Sequence, residues 1–299
     1  MAAVIMPADL GLVQRERLAF IDFRLFFLGS VSRGDIVGRF GVSPAVSTRD
    51  LALYRNVAPL NISFDGSSKS YRIGSDFSPL FEHPLDRVLL ALSKGFGDGL
   101  GGIPLVVPCE YAEPINRPIQ KTLAAVTRAI AIRTVLSISY TSVSGGESSR
   151  EILPFALADN GLRWHVRAFD RKSSSFRDFV LSRISNPVAL SGKGPEEGER
   201  PEDDEEWSVI VDLEVVAHPD SVRPEIAALD FPMENGVLHL RARAALAGYV
   251  LRRWGIDCSP NHVLDPITHP LWLRNQEVLE SVSSAAIAPG RSAGNGGAE

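Results

Sequence analysis

Cysteine is nearly absent: the 299 residues contain 2, Cys109 and Cys258, with no C-x-x-C pair. That excludes a disulfide framework and suits a reducing cytoplasm. Long apolar runs are also missing. The most hydrophobic stretch, residues 18–28, is interrupted by Asp22 and Arg24 and is too short to span a bilayer, so no membrane partner is expected. The first residues lack a basic segment followed by an apolar one, which argues against a signal peptide. The 6 histidines are scattered, and His262 and His269 have no third ligand nearby, so no metal is expected. Neither a G-x-S-x-G elbow nor an H-E-x-x-H pair occurs. The letters GDGLGG at 97–102 mimic a dinucleotide loop, but they follow a helical pattern and lead into IPLVVP instead of a helix. They are expected to form a flexible loop. No cofactor and no enzymatic chemistry follow from these patterns. An overall basic balance is lacking too, since the net charge is −5.

What is present is an ordinary globular composition, 44% hydrophobic and 22% charged, on a chain long enough for two or three domains. Charge is unevenly placed. Residues 1–80 hold nine Lys/Arg against seven Asp/Glu, whereas the remainder is acidic. Nucleic-acid binding depends on where charge sits, and the sign favours the N-terminus as the part that faces DNA.

The N-terminal pattern explains why. Leu18, Ile21, Leu25 and Leu28 recur at helical spacing and Gly29 stops the helix. Ser32 caps a short second helix, 33–40, and Gly41 supplies a tight turn. Ser43 then caps a third helix that opens on Pro44. Its slim first half, with Ala45, Ser47 and Thr48, suits entry into a major groove, and Arg49 is long enough to reach a guanine edge or a phosphate. Ser43 at the helix start can hold a phosphate. Asp65-Gly66 marks a following hairpin, where a wing belongs, with Lys69 and Arg72 placed for sequence-blind phosphate contacts. The predicted DNA-binding set is Ser43, Ala45, Ser47, Thr48, Arg49, Arg55, Lys69 and Arg72. A competing reading makes the helix pair purely structural, with Arg49 paired to a neighbour such as Asp50.

Residues 133–191 read as five short strands, a pattern that suits a small, bent SH3-like or Sm-like barrel. Alternation puts Arg163, His165 and Arg167 on one face of a strand, and Arg177, Phe179, Leu181 and Arg183 on one face of the next. With Tyr140, Ser142 and Ser144 near its rim, such a patch suits an anion or a stacked nucleotide. The competing reading pairs these arginines with carboxylates, for which Asp170 and Asp178 are available.

Here the sequence resembles a known family. Tyr140-x-Ser142, Arg150-x-Ile152-x-Pro154, Gly161 through Val166, and Arg177-x-Phe179-x-Leu181-x-x-Arg183 look like a WYL domain, although His165 and Val166 stand where the naming Tyr and Leu would be. With RERLAFIDFRLFFLG, RFGVSPAVSTRDL and FDGSSKSYR, the chain resembles WYL-domain transcriptional regulators of the CapW/BrxR type, which control phage-defence operons. The resemblance implies a multidomain α+β protein: a winged helix-turn-helix (1–80), a helical linker or dimerisation segment (81–132), a WYL ligand-sensing barrel (133–191) and a C-terminal WCX-like small α/β domain (207–287). It also implies a homodimer on an inverted-repeat operator of double-stranded DNA that represses its own defence operon. An oligonucleotide or nucleotide effector would contact Tyr140, Ser142, Ser144, Arg150, His165, Arg167, Arg177 and Arg183. The alternative is a nucleic-acid-binding accessory module of a defence system, without transcriptional control.

Two further segments are read from composition. Residues 192–206 belong to a run with eight acidic and no apolar side chains and are expected to be a solvated linker. Residues 288–299 are expected to be a disordered tail.

Overall fold

The computed structural model describes residues 10–95, 107–110 and 115–291; the glycine-rich loop at 97–102 and the tail from 292 lie outside the described residues. The chain divides into two compact units, Met1–Glu113 and Pro114–Glu299.

In the first unit, α1 (Leu12–Leu28) buries Leu18, Ile21 and Leu25 and ends at Gly29, whose φ of 73° is a conformation that glycine adopts without strain. α2 (Arg33–Phe40) opens on a capping box in which Ser32 accepts from the Asp35 N–H and Asp35 accepts from the Ser32 N–H. After Gly41 the Ser43 side chain caps α3 (Pro44–Val57). Leu51 and Tyr54 of α3 join Ile36 and the α1 residues in one core. β2 (Ile62–Asp65) and β3 (Ser70–Ile73) form the expected hairpin, and β1 (Ser30–Val31) adds a third strand in the order β1-β3-β2. Two residues carry no periodicity, so the sequence does not announce β1. Asp22, fully buried, accepts hydrogen bonds from the Tyr54 hydroxyl and the N–H groups of Leu80 and Phe81, and its carboxylate meets the His83 ring. It ties the irregular segment that follows the hairpin to α1. α4 (Leu85–Lys94) completes the unit, with Val88 buried.

The second unit starts with α5 (Gln120–Ala131), which lays Val126 and Ala129 against a sheet core of Leu136, Ile138, Ile152 and Val166. Residues 81–132 are therefore not one segment, because α4 and α5 belong to different units. The strands are β4 (Leu136–Ser142), β5 (Gly146–Asp159), β6 (Trp164–Asp170), β7 (Ser175–Val180) and β8 (Ile184–Ala189), paired antiparallel in the order β7-β6-β5-β4-β8. Register shifts interrupt β4–β8 at Ser137/Ser139 and β5–β6 at Pro154/Ala156. In its hydrogen bonding the expected barrel is a five-stranded sheet with two edges, and no ladder among the described residues joins β7 to β8. The run 176–184 is not one strand either. A 3-10 turn, Leu181–Arg183, breaks it, so Arg183 sits at a corner instead of on a strand face.

Residues 192–206 depart furthest from expectation. They are not a solvated linker: Glu199 and Asp204 are buried, a 3-10 turn covers Pro201–Asp203, and α6 (Glu205–Ser208) begins within them. Arginines of the sheet supply the counter-charge that composition alone does not reveal. Beyond lie β9 (Ile210–Ala217), α7 (Glu225–Asp230), β10 (Val237–Arg243), α8 (Ala244–Arg253) and β11 (Leu271–Leu273), in a sheet of order β10-β9-β11. Leu213, Val215, Leu251 and Leu273 centre this core. Gly248 of α8 meets the 3-10 turn Ser283–Ile287 so closely that a Cβ would lie 1.7 Å from the Ser284 carbonyl oxygen. The folded chain continues past the expected end of this domain: Ala288 is buried and the Pro289 carbonyl accepts from the Cys258 N–H. No helix among the described residues is long and apolar enough to cross a membrane.

Candidate functional site

α3 has two faces with different chemistry. Ser43, Ala45, Thr48, Arg49 and Arg55 are exposed. On the opposite face Asp50 is buried and receives Arg17 Nε at 2.6 Å and Gln14 Nε2 at 3.0 Å, which fixes α3 against α1. Asp50 is thus the partner of Arg17, not of Arg49. Ser47 is a correction: it is fully buried and its hydroxyl donates to the Arg33 carbonyl, so it joins α3 to the start of α2 and faces away from any groove. Thr48 donates to the Pro44 carbonyl and Arg49 Nε to the Ala45 carbonyl, both on the open face.

The hairpin carries Lys69, exposed and at a φ of 52°, and Arg72, whose Nε donates to Asp65 at 2.7 Å. Hydrogen bonds from Ser67, Arg72 and Ser68 hold the Asp65 carboxyl well below the usual carboxylate range. Lys69 is an open cation for a phosphate, whereas Arg72 would have to share itself with Asp65.

The second unit holds a cavity of about 290 Å3. Six of the eight residues expected to contact an effector line it: Tyr140, Ser142, Arg150, Arg167, Arg177 and Arg183. Ser144 is exposed and does not line it. His165 is a second correction. It is buried with its ring 5.3 Å from that of Tyr249, and burial together with the charges of Arg163 and Arg183 lowers its pKa to about 4. It is a neutral packing group at pH 7.

The arginines differ in how far they are already used. Arg150 donates to Asp170 at 2.6 Å and to the Ser148 hydroxyl. Arg167, 4% exposed, grips Asp204 through Nε and Nη2 at 2.8 and 3.0 Å, reaches Glu206 at 3.2 Å and lies 3.4 Å from Asp178. Burial by itself would lower its pKa, but these three carboxylates outweigh that and raise it. Arg177 Nε donates to Ser175. The Arg183 side chain makes no hydrogen bond or ion pair among the described residues. Burial pushes the Asp178 carboxyl up to about 6, with Arg167 opposing and the charges of Asp204 and Glu206 reinforcing the rise.

The other wall comes from residues that sequence reasoning missed: Glu206, Ala245, Tyr249, Ser283, Ser284 and Ile287. They lie far along the chain from β4 and β7, and no local motif links them. Burial, then the Asp178 charge, raises the Tyr249 hydroxyl to about 12, so it is a neutral donor. Cation-rich on one side and hydroxyl-bearing on the other, the cavity suits an anion with several acceptor oxygens.

Comparison with known proteins adds three family matches. The BrxR transcriptional regulator winged helix-turn-helix domain matches residues 13–94, the WYL domain residues 121–188, and the BrxR transcriptional regulator C-terminal dimerization domain residues 210–279. The chain is similar over most of its length to curated proteins described as DNA-binding transcriptional repressor CapW. That of Escherichia coli (strain KTE188) is 30% identical over 277 residues, covering 89% of this chain and 90% of the relative. That of Pseudomonas aeruginosa is 30% identical over 249 residues, covering 80% and 81%. The Stenotrophomonas maltophilia protein is 29% identical over 259 residues, covering 82% and 84%.

Proposed function

The chain belongs to the CapW/BrxR family of WYL-domain transcriptional repressors, and from that premise we propose that it binds an inverted-repeat operator as a homodimer, represses its own phage-defence operon in the cytoplasm, and releases DNA when a nucleotide or nucleic-acid fragment enters the cavity. The observation that carries the DNA-binding half is the division of α3. One face is locked by Ser47 and by the Arg17–Asp50 pair, and the other offers Ser43, Ala45, Thr48 and Arg49 to a groove. The test is an electrophoretic shift on the DNA upstream of the protein's own gene, with and without short single-stranded DNA. Retention confined to an inverted repeat, and relieved by the added fragment, supports repression. Equal affinity for any duplex would remove the regulatory reading.

A dimer needs a face, and the C-terminal domain has one. Val222, Ile226 and Ile267 line a shallow apolar depression, and Val222 and Ile267 are 95% and 88% exposed. Apolar side chains so exposed and lining one depression support a subunit contact there. Replacing Val222 and Ile267 with Asp should weaken self-association at least about tenfold, a change of about 1.4 kcal/mol, and lower operator affinity with it. Sedimentation measures this, and an unchanged dimer would move the interface elsewhere.

Asp178 gives the cavity a pH dependence. Because its folded-state pKa of about 6 lies above the ordinary 3.8, the native protein holds the extra proton in that window, and Asp178 costs stability increasingly as pH rises through it. Arg167, Asp204, Glu206 and Tyr249 surround it. Protonation adds one positive charge, so sulfate affinity should rise roughly severalfold from pH 7 to pH 5. Asp178→Asn should flatten the profile, and a slope that persists in that variant would assign the titration to another group.

A further inference from the structure

Resting on the reading of the cavity as an effector site, one of its walls has a second role. Residues 194–206 are pinned to the sheet at two points. Arg171 takes Glu199 through two nitrogens at 2.7 and 2.8 Å, and Arg167 takes Asp204 through two at 2.8 and 3.0 Å. Both contacts are forked, that of Arg167 buried and that of Arg171 partly buried, and Asp204 also caps α6 by accepting from the Trp207 N–H. They are architecture.

Glu206 is different. It touches Arg167 once, at 3.2 Å, its other oxygen accepts from the Ser283 N–H at 3.3 Å, and its side chain is 31% exposed where it lines the cavity. It is the third carboxylate on a guanidinium already held by Asp204 and approached by Asp178. The Arg183 side chain, bonded to no group among the described residues, lines the same cavity. A phosphate monoester carries three strong acceptor oxygens and close to two negative charges. It can take the Arg167 Nη2 and Ser283 N–H donors that Glu206 now uses and still reach toward an arginine that no carboxylate among the described residues claims.

We propose that Glu206 is a resident stand-in for the effector's phosphate: the effector takes its place on Arg167 while engaging Arg183, and the loosening of α6 beyond its Asp204 cap carries the signal into the C-terminal domain. The route is short. α6 leads directly into β9, the central strand of the C-terminal sheet. Trp207 beside Glu206 packs edge-on against Phe155 of β5, Arg243 lies over its ring, and Arg243 also donates to the Trp207 carbonyl. Loss of the Glu206 contacts loosens the joint between the five-stranded sheet and the domain matched as a dimerization domain.

The test uses the full chain with a 5′-phosphorylated thymidine dinucleotide and, separately, inorganic phosphate, followed by calorimetry. Glu206→Gln keeps an acceptor for the Ser283 N–H but removes the competing charge. It is expected to bind both probes at least about tenfold more tightly than the unaltered protein, and Arg183→Ala at least about tenfold more weakly. The dinucleotide should bind more tightly than phosphate if a nucleotide is the source of the group; equal affinity would make free phosphate the effector. In the unaltered protein the dinucleotide should speed amide exchange at 205–208. Binding that depends on Arg183 but is unchanged by Glu206→Gln, with exchange at 205–208 unaltered, overturns the replacement and leaves the effector site standing. No binding to either the unaltered protein or Glu206→Gln overturns both.

Discussion

Arg167→Ala is expected to destabilise the second unit by about 3–5 kcal/mol, because it leaves Asp204, Asp178 and Glu206 crowded together without a counter-charge. Breaking one side of a buried ion cluster is costly for this reason, even where the intact cluster adds little to stability. Urea unfolding followed by tryptophan fluorescence measures the loss. Arg167→Lys should fall between, since an ammonium keeps the charge but loses the forked grip on Asp204. A loss below about 1 kcal/mol for the alanine variant would mean that the carboxylates find water or protons, and that Arg167 is not a pillar of the fold. The expectation differs from that for a simple contact residue, whose removal would spare stability and abolish only the response to effector.

Arg49→Ala should weaken specific operator binding by about 1–3 kcal/mol while leaving affinity for random duplex nearly unchanged, the signature of lost base readout. Arg49 is exposed, and its backbone is held in place by interactions it does not share: the Arg17–Asp50 pair, the Ser47 hydroxyl on Arg33 and the Tyr54 ring in the core. The variant therefore changes the reader without moving it. Competition binding against operator and scrambled duplex separates the outcomes. If both affinities fell equally, Arg49 would be a phosphate clamp.

Local signals in the sequence were sufficient for much of the first unit. Ser32, Gly29, Gly41, Ser43 and Asp65-Gly66 act through their own neighbours, and the helix and hairpin boundaries follow them closely. For Ser47 two local signals conflict. It stands with Asp50, Leu51 and Tyr54 at i, i+3, i+4 and i+7, so periodicity places it on the core face, and its small polar side chain suggested otherwise. For the cavity, strand alternation together with the family resemblance names six of the residues that line it. The opposite wall was not legible, because Tyr249 and Ser283 reach it only through the packing of a second domain. The acidic stretch hides its placement for the same reason: eight carboxylates look solvated until Arg167 of β6 and Arg171 just after it, well back in the chain, are seen to meet four of them.

The burial of Arg167 and Asp204 separates two ways of leaving DNA. Contacts to phosphates are made by exposed cations and weaken steeply as ionic strength rises. Charges withdrawn from water are screened far less. A surge of salt would thus strip the repressor from its operator with α6 still held at Arg167, whereas an effector would free Glu206 at constant salt and leave the Asp204 pin in place. The two stimuli would arrive at the promoter by different routes, and hydrogen exchange at 205–208 would tell osmotic stress from a genuine alarm.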